Sequence, residues 1–251
     1  MFIPPAYLVS SAYVLVSQRA QTDAQRLAGL HEAISKLTMG KHTYGKSSES
    51  ITSVQFEKLY PIGNIQRWET LRTRIASSTQ GYNDLTFLLC YYKRDYARNV
   101  YNLLRQYRLW HTMLDPKSPA NARVSLRHNH HLPYTIEAVE STSGYLQLLY
   151  LKHHDTLSLG SLLDLRLDGA LAEEQSDFIG ELWDMDAVPL LVSAYRSAVR
   201  TDNLAGALWM KDKGAKQEAY RELKRLSHNP DPRIAASAKK VEQELRKLPA
   251  D

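Results

Sequence analysis

Apolar residues along this chain recur at intervals of three and four rather than two, so the pattern predicts helices and no sheet. Residues 5–18 read as a first helix, with Pro5 in the opening turn, where a missing N–H does no harm. Thr22-Asp23-Ala24-Gln25 has the form of a capping box and opens a second helix through Leu37, with Leu27, Leu30, Ile34 and Leu37 on one stripe. Residues 40–53 carry Gly, Ser, Lys and Thr with few apolar positions, which predicts a mobile loop. Short helices follow over 54–60 and 65–77, the second facing Trp68, Leu71 and Ile75 inward.

The longest stripe runs from Asp84 to Leu114 through Leu85, Leu88, Leu89, Tyr92, Tyr96, Val100, Leu103, Leu104, Tyr107 and Trp110. Read as one helix, it would extend for roughly 45 Å at 1.5 Å per residue. Asp115-Pro116 ends it, and residues 116–133 hold three prolines, two asparagines and three histidines. So long a connection predicts a domain boundary near residue 130, dividing a helical region 1–130 from a second region 134–251. Beyond it, helices are expected over 134–151, 159–169, 170–183, 187–200, 203–211, 215–226 and 231–248, joined by turns short enough to make neighbours antiparallel.

A weak internal echo appears at a shift of 30 residues. Asp202-Asn203-Leu204-Ala205-Gly206-Ala207-Leu208 falls on Pro232-Arg233-Ile234-Ala235-Ala236-Ser237-Ala238, apolar on apolar and small on small. A period of this size points to stacked helix pairs that bury their apolar faces against one another. Two segments carry a family likeness. Ile179-Gly180-Glu181-Leu182-Trp183-Asp184-Met185-Asp186-Ala187-Val188-Pro189-Leu190-Leu191 resembles the inter-helix turn of HEAT-type repeats, and Asn229-Pro230-Asp231-Pro232-Arg233-Ile234-Ala235-Ala236 is similar to their Asp-Pro helix start. The resemblance spans roughly residues 170–247 and implies an all-α protein whose helical N-terminal region leads into a short HEAT-like α-solenoid. It also implies binding of a macromolecule.

Composition agrees with a folded helical chain: of 251 residues, 43% are hydrophobic and 24% charged. The single cysteine, Cys90, excludes an internal disulfide framework or a Cys-based zinc site, and its apolar neighbours predict a buried small hydrophobe. Met1 to Val16 is apolar, but it has no Lys or Arg before Arg19 and is too short to span a bilayer. The expected setting is therefore the cytoplasm, or the periplasm if the start of a signal sequence is missing, with no membrane span.

The net charge of +5 conceals a strong asymmetry. Residues 1–133 hold 17 Lys/Arg and 8 Asp/Glu, net +9; residues 134–195 hold 2 and 11, net −9; residues 196–251 hold 13 and 8, net +5. Faces of opposite sign are implied. On the basic side the candidates are Arg94, Arg98, Tyr101, Arg105 and Arg108, spaced to fall near one face of the 84–114 helix. Tyr91 and Tyr101 are the tyrosines expected to be free of the core. On the acidic side the candidates are Glu173, Glu174 and Asp177. Such surfaces fit a non-enzymatic adaptor, assembly factor or inhibitor whose partner is another protein. The alternative partner is a nucleic acid, with arginines on phosphates and an exposed tyrosine on bases.

Candidate chemistry changes this picture little. Gly40-Lys41-His42-Thr43-Tyr44-Gly45-Lys46-Ser47 matches the phosphate-binding P-loop string, yet that loop needs a buried strand before it, and residues 33–37 have a helical pattern. The histidines cluster in two places, His128, His130 and His131, and His153-His154-Asp155, where neutral imidazoles near a carboxylate could bind a metal, and the His154-Asp155 pair resembles that of metal-dependent phosphohydrolases. No ligand spacing is regular enough to specify a site, and neither a cofactor nor a set of catalytic residues is expected.

Overall fold

The computed structural model describes residues 22–42, 51–75, 79–114, 136–167 and 169–249, and these contain helices and turns with no strand. They fall into two compact units, which divide between Ile75 and Ala76.

The first unit contains α1 (Asp23–His42), α2 (Ser53–Leu59), a short 3-10 turn (Ile62–Asn64) and α3 (Ile65–Arg74). The expected capping box opens α1: Thr22 Oγ1 accepts from Gln25 N, and Gln25 Oε1 accepts from Thr22 N. Thr52 and Gln55 repeat the device at α2. Leu30, Ile34 and Leu37 are buried with Phe56, Tyr60, Trp68 and Leu71, whereas Leu27 and Ile75 are half-buried. Three rings pack in sequence, Phe56 tilted against Tyr60 at 5.2 Å and Tyr60 edge-on to Trp68 at 5.6 Å. α1 continues through His42, so Gly40 to His42, expected in a loop and part of the phosphate-loop string, are helical. The rest of that string, like His128, His130 and His131 and the expected first helix, lies outside the described residues.

The second unit holds α4 (Thr79–Tyr91), α5 (Tyr96–Leu114), α6 (Ile136–His153), α7 (Thr156–Leu163), α8 (Gly169–Ala194), α9 (Ala198–Met210), α10 (Lys213–Leu226) and α11 (Pro232–Lys247). The single helix expected over 84–114 is in fact two, α4 and α5. Lys93 and Asp95 adopt left-handed backbone, with φ of 54° and 41°. Arg94 N–H donates to the Leu89 carbonyl and Lys93 N–H to the Cys90 carbonyl, the paired bonds of a Schellman stop with lysine in glycine's place. Asn99 then holds the new start, its side chain donating to the Arg94 carbonyl at 2.7 Å. Apolar periodicity persists across the break, with Leu85, Leu88 and Leu89 buried before it and Val100, Leu103, Leu104 and Tyr107 after. That persistence is why the two helices read as one.

Contacts between helices fix their directions. Phe87 packs on Tyr145 at 4.7 Å, the Tyr145 hydroxyl bonds Asp84, and His153 reaches the Cys90 carbonyl, so α4 and α6 lie side by side and run the same way. Tyr96 bonds Asp155 and Tyr107 bonds the Arg166 backbone, so α5 and the α7 strip also run together. The pair α4–α5 is therefore stacked in register on the pair α6–α7. This is why α4 and α5 belong with the helices after them, and why the unit boundary lies at 75/76 rather than near 130. The 116–133 connection that suggested otherwise lies outside the described residues.

α8 is two limbs, 169–185 and 187–194, meeting at Asp186, where the backbone is extended and Asp186 Oδ1 accepts from Val188 N. The turn falls where the Asp-Ala-Val-Pro sequence placed it. Lys211 donates to the Gly180 carbonyl and to Asp184, so α9 runs alongside the first limb in the same direction. The second limb returns to bring the Ser193 carbonyl against Arg200. Aspartates also cap three other helices of this unit: Asp155 for α7, Asp212 for α10 and Asp231 for α11, the last with Pro232 in the first turn. The echo residues Leu204 and Ile234 are both buried, on α9 and α11, which pack together. Their positions within those helices differ by about one turn. At the C-terminal end α10 packs chiefly on α11, and α11 also covers α8 and α9.

Candidate interaction surface

On α5 the inward residues Asn99, Val100, Leu103, Leu104 and Tyr107 leave the opposite side to solvent. That side carries Arg98, Tyr101, Arg105 and Arg108, all exposed, with Tyr101 at 56%. Spacings of three, four and three residues keep them on one stripe, about 15 Å long at 1.5 Å per residue. Arg98, Tyr101 and Arg105 make no ion pair or hydrogen bond among the described residues. Arg94, expected on the same helical face, sits instead in the 92–95 turn, exposed at the entrance to the stripe. Tyr91, expected to be free, is buried, with its ring against Phe87 at 5.9 Å and the Lys152 ammonium over it at 4.7 Å. Tyr92, placed by periodicity in the core, is half-buried, because the helix stops before it can turn inward.

The acidic candidates form a second stripe. Glu173, Glu174 and Asp177 are exposed on the first limb of α8, and Glu181 and Asp184 continue the same side. Asp184 pairs with Lys211 at 2.7 Å, the ion pair that ties the limb to α9. The main packing partners of α5 are α4, α6 and α7, and those of α8 are α6, α7, α9 and α11. Both stripes are exposed, and among the described residues Arg98 and Arg105 form no ion pair with the acidic block.

His154 and Asp155 lie between α6 and α7. His154 ends α6 in left-handed backbone (φ 50°), its N–H bonded to the Tyr150 carbonyl, and its side chain is exposed. Asp155 is fully engaged: Oδ1 accepts from Leu157 N and Ser158 N, and Oδ2 from Ser158 Oγ and the Tyr96 hydroxyl at 2.7 Å. Burial pushes the Asp155 carboxyl upward, but the bonds from Tyr96, Ser158 and Leu157 outweigh it and hold the group below its usual range. Burial, and the bond to Asp155, push the Tyr96 phenol well above its ordinary value. His153 beside them is held down by burial and by Lys93 and Lys152, against the opposing pull of the Cys90 carbonyl and Asp155. The cluster therefore joins the pair α4–α5 to α6–α7 through a helix cap. Among the described residues no three His, Cys, Asp or Glu side chains converge as metal ligands.

Two grooves accompany these surfaces. One, of about 450 Å³, lies between the turn at Asp186 and α10, lined by Trp183, Met185, Glu218 and Glu222. Met185 is 71% exposed, an apolar residue at the tip of an acidic rim that sequence periodicity did not single out. The other, of about 340 Å³, lies between α10 and the end of α11, where Lys216 covers the Trp209 ring at 4.9 Å and the Trp209 indole donates to the Pro249 carbonyl.

The chain matches no protein-family model, no curated protein and no solved structure. Among the described residues no helix is long and apolar enough to cross a membrane.

Proposed function

We propose that this chain is a protein-interaction module, an adaptor, assembly factor or inhibitor, in which stacked helix pairs of HEAT-like kind hold oppositely charged stripes toward partners. The observation that carries the reading is the exposed row Arg98–Tyr101–Arg105–Arg108 on a helix whose opposite residues Asn99, Val100, Leu103, Leu104 and Tyr107 are buried. Pairs such as α4–α5 on α6–α7, aligned in the same direction and joined by short capped turns, support a repeat architecture, since each pair buries its apolar face on the next. Rigid helices keep charges at fixed spacing, and fixed spacing gives specificity that charge alone lacks. The test is affinity capture from native extract with the intact chain and with Arg98→Glu/Arg105→Glu. The expected result is a defined protein held by the first and lost by the second. An identical set of captured proteins in both would overturn the reading.

A second reading is favoured by Tyr101. An exposed aromatic ring between two unneutralised guanidiniums suits single-stranded nucleic acid, with bases stacked on the ring and phosphates on the arginines. Its test is an oligonucleotide shift assay over a salt series. Binding that falls steeply with salt supports it, and no retention even at low salt removes it.

A further inference from the structure

The groove between the Asp186 turn and α10 joins an apolar floor to an acidic rim. Its buried lining residues, Trp183, Ala187 and Ala219, are apolar, and Met185 stands at the edge, 71% exposed. The extended backbone at Asp186 breaks α8, so Met185 ends the first limb with its side chain outside the core. Facing it, α10 packs chiefly on α11 and presents Glu218 and Glu222, one helical turn apart, to the groove. At about 450 Å³ the space falls within the range, roughly 300–1,000 Å³, that takes a ligand or a few side chains. An exposed methionine beside such a space gains by being covered, and its unbranched side chain adapts to what covers it.

The rim carries Asp184, Asp186, Glu218 and Glu222 against one cation, Arg225. Two of these carboxylates are paired within the chain, Asp184 with Lys211 at 2.7 Å and Glu222 with Arg225. Asp186 uses Oδ1 to accept from the Val188 N–H, a bond that cancels no charge. The Glu218 carboxylate has neither an ion pair nor a hydrogen bond among the described residues. Two negative charges therefore remain, Asp186 on the turn and Glu218 on α10. We propose that the groove docks a basic segment of another protein, whose apolar side chain covers Met185 and whose lysine or arginine reaches between Asp186 and Glu218. Charge complementarity selects this occupant, since a nucleic acid or an acidic segment would meet repulsion here. The groove lies on other helices than the α5 row, and neither surface needs the other.

Binding is followed at Met185 itself. The full chain, isotope-labelled at its five methionine methyl groups, is titrated with a blocked amphipathic peptide of leucine and lysine, and Met185→Ala assigns the methyl signal. At about 150 mM salt, where exposed charges are screened beyond about 8 Å, the Met185 methyl should shift and saturate. The glutamate counterpart of the peptide should leave it in place. By fluorescence anisotropy of the labelled peptide, Glu218→Lys should weaken binding by about tenfold and Met185→Ala by about fivefold. Glu173→Lys, on the same limb of α8 but outside the groove, should change it by less than about twofold. All three positions are exposed, and far-UV circular dichroism checks that the variants are folded. No shift at Met185 overturns the proposal, as does an equal shift with the glutamate peptide. A loss with Glu173→Lys as large as that with Glu218→Lys also overturns it, because diffuse charge would then suffice. Arg98→Glu/Arg105→Glu should bind the basic peptide as the wild type does, so failure of the groove and failure of the α5 row are read separately.

Discussion

Substituting the glycine beneath the Arg200 guanidinium should change sign with context. Gly160 lies inside α7, and a Cβ added there would stand 2.3 Å from Arg200 Nη1 and 2.7 Å from its Cζ. A flexible arginine could normally swing away at little cost. This one is fixed at three points: Nε and Nη2 donate to the two oxygens of Asp164 at 2.9 and 3.0 Å, and Nη1 donates to the Ser193 carbonyl at 2.9 Å. Relieving the clash needs a shift of about 1 Å, enough to carry those bonds beyond useful length. Hydrogen bonds to charged groups contribute about 1.5–3 kcal/mol each when dry. Here the Arg200 and Asp164 side chains are 27% and 23% exposed, so water recovers part of the loss and about 2–3 kcal/mol for the whole fork is reasonable. Against this, alanine is favoured over glycine within a helix by about 1 kcal/mol. Gly160→Ala should therefore destabilise the wild type by about 1–2 kcal/mol, taking the difference of those two terms.

With Arg200→Ala the obstruction is gone and only the helix term remains. In that background Gly160→Ala should stabilise by about 1 kcal/mol. Urea denaturation of the four proteins, with equal slopes as the condition for comparison, gives the cycle. Stabilisation by Gly160→Ala in both backgrounds would refute the claim that the fork is held in place. Destabilisation in both would show that the limit is backbone packing around α7 rather than Arg200.

Three further outcomes follow from the turns between helices. Asp155→Ala should cost about 1–2 kcal/mol through loss of the α7 cap, whereas Asp155→Asn should recover most of it, and equal losses by thermal melting would refute the capping role. Lys93→Gly should stabilise by up to about 1 kcal/mol, because lysine pays a left-handed penalty at φ 54° that glycine does not; a drop in melting temperature would refute it. His153 is held below its usual pKa, so the unfolded chain binds more protons and stability should be full above about pH 6.5 and decline as pH falls below it. Replacing it by glutamine should flatten that decline, and an unchanged pH profile of the urea midpoint would refute the assignment.

How much of this was legible in the sequence depended on which signal carried each feature. Helical class, the capping boxes at Thr22 and Asp-Pro start at Asp231, and the turn at Asp186 each rest on local chemistry that a few adjacent residues determine completely. The exposed row on α5 was also readable, since alternation of buried and solvent positions along one helix fixes its faces. The break at Lys93 was not, and the reason is physical. Glycine and proline announce a stop through their own backbone preferences, while a lysine and an aspartate in left-handed backbone are stabilised only by what surrounds them. Asn99, bonded back to the Arg94 carbonyl, and the stacking of α4 on α6 hold that conformation, and neither is visible in the residues around 93.

The same break decides what the chain can offer a partner. An unbroken helix would have set Arg94 in line with Arg98 and turned Tyr91 outward, making a longer and more aromatic basic face. Stopping at Tyr91 instead sends that ring into the core beneath Lys152 and restarts α5 beside α7, with the Tyr96 hydroxyl bonded to the Asp155 cap. The reversal shortens the stripe to the run from Arg98 to Arg108 and anchors its helix to the next pair. A row of guanidiniums on a frayed helix end would lose its spacing to side-chain and backbone motion. Anchored by Asn99, Val100 and Tyr96, this row keeps a fixed pitch, and only a fixed pitch can be matched by the carboxylates of another helix.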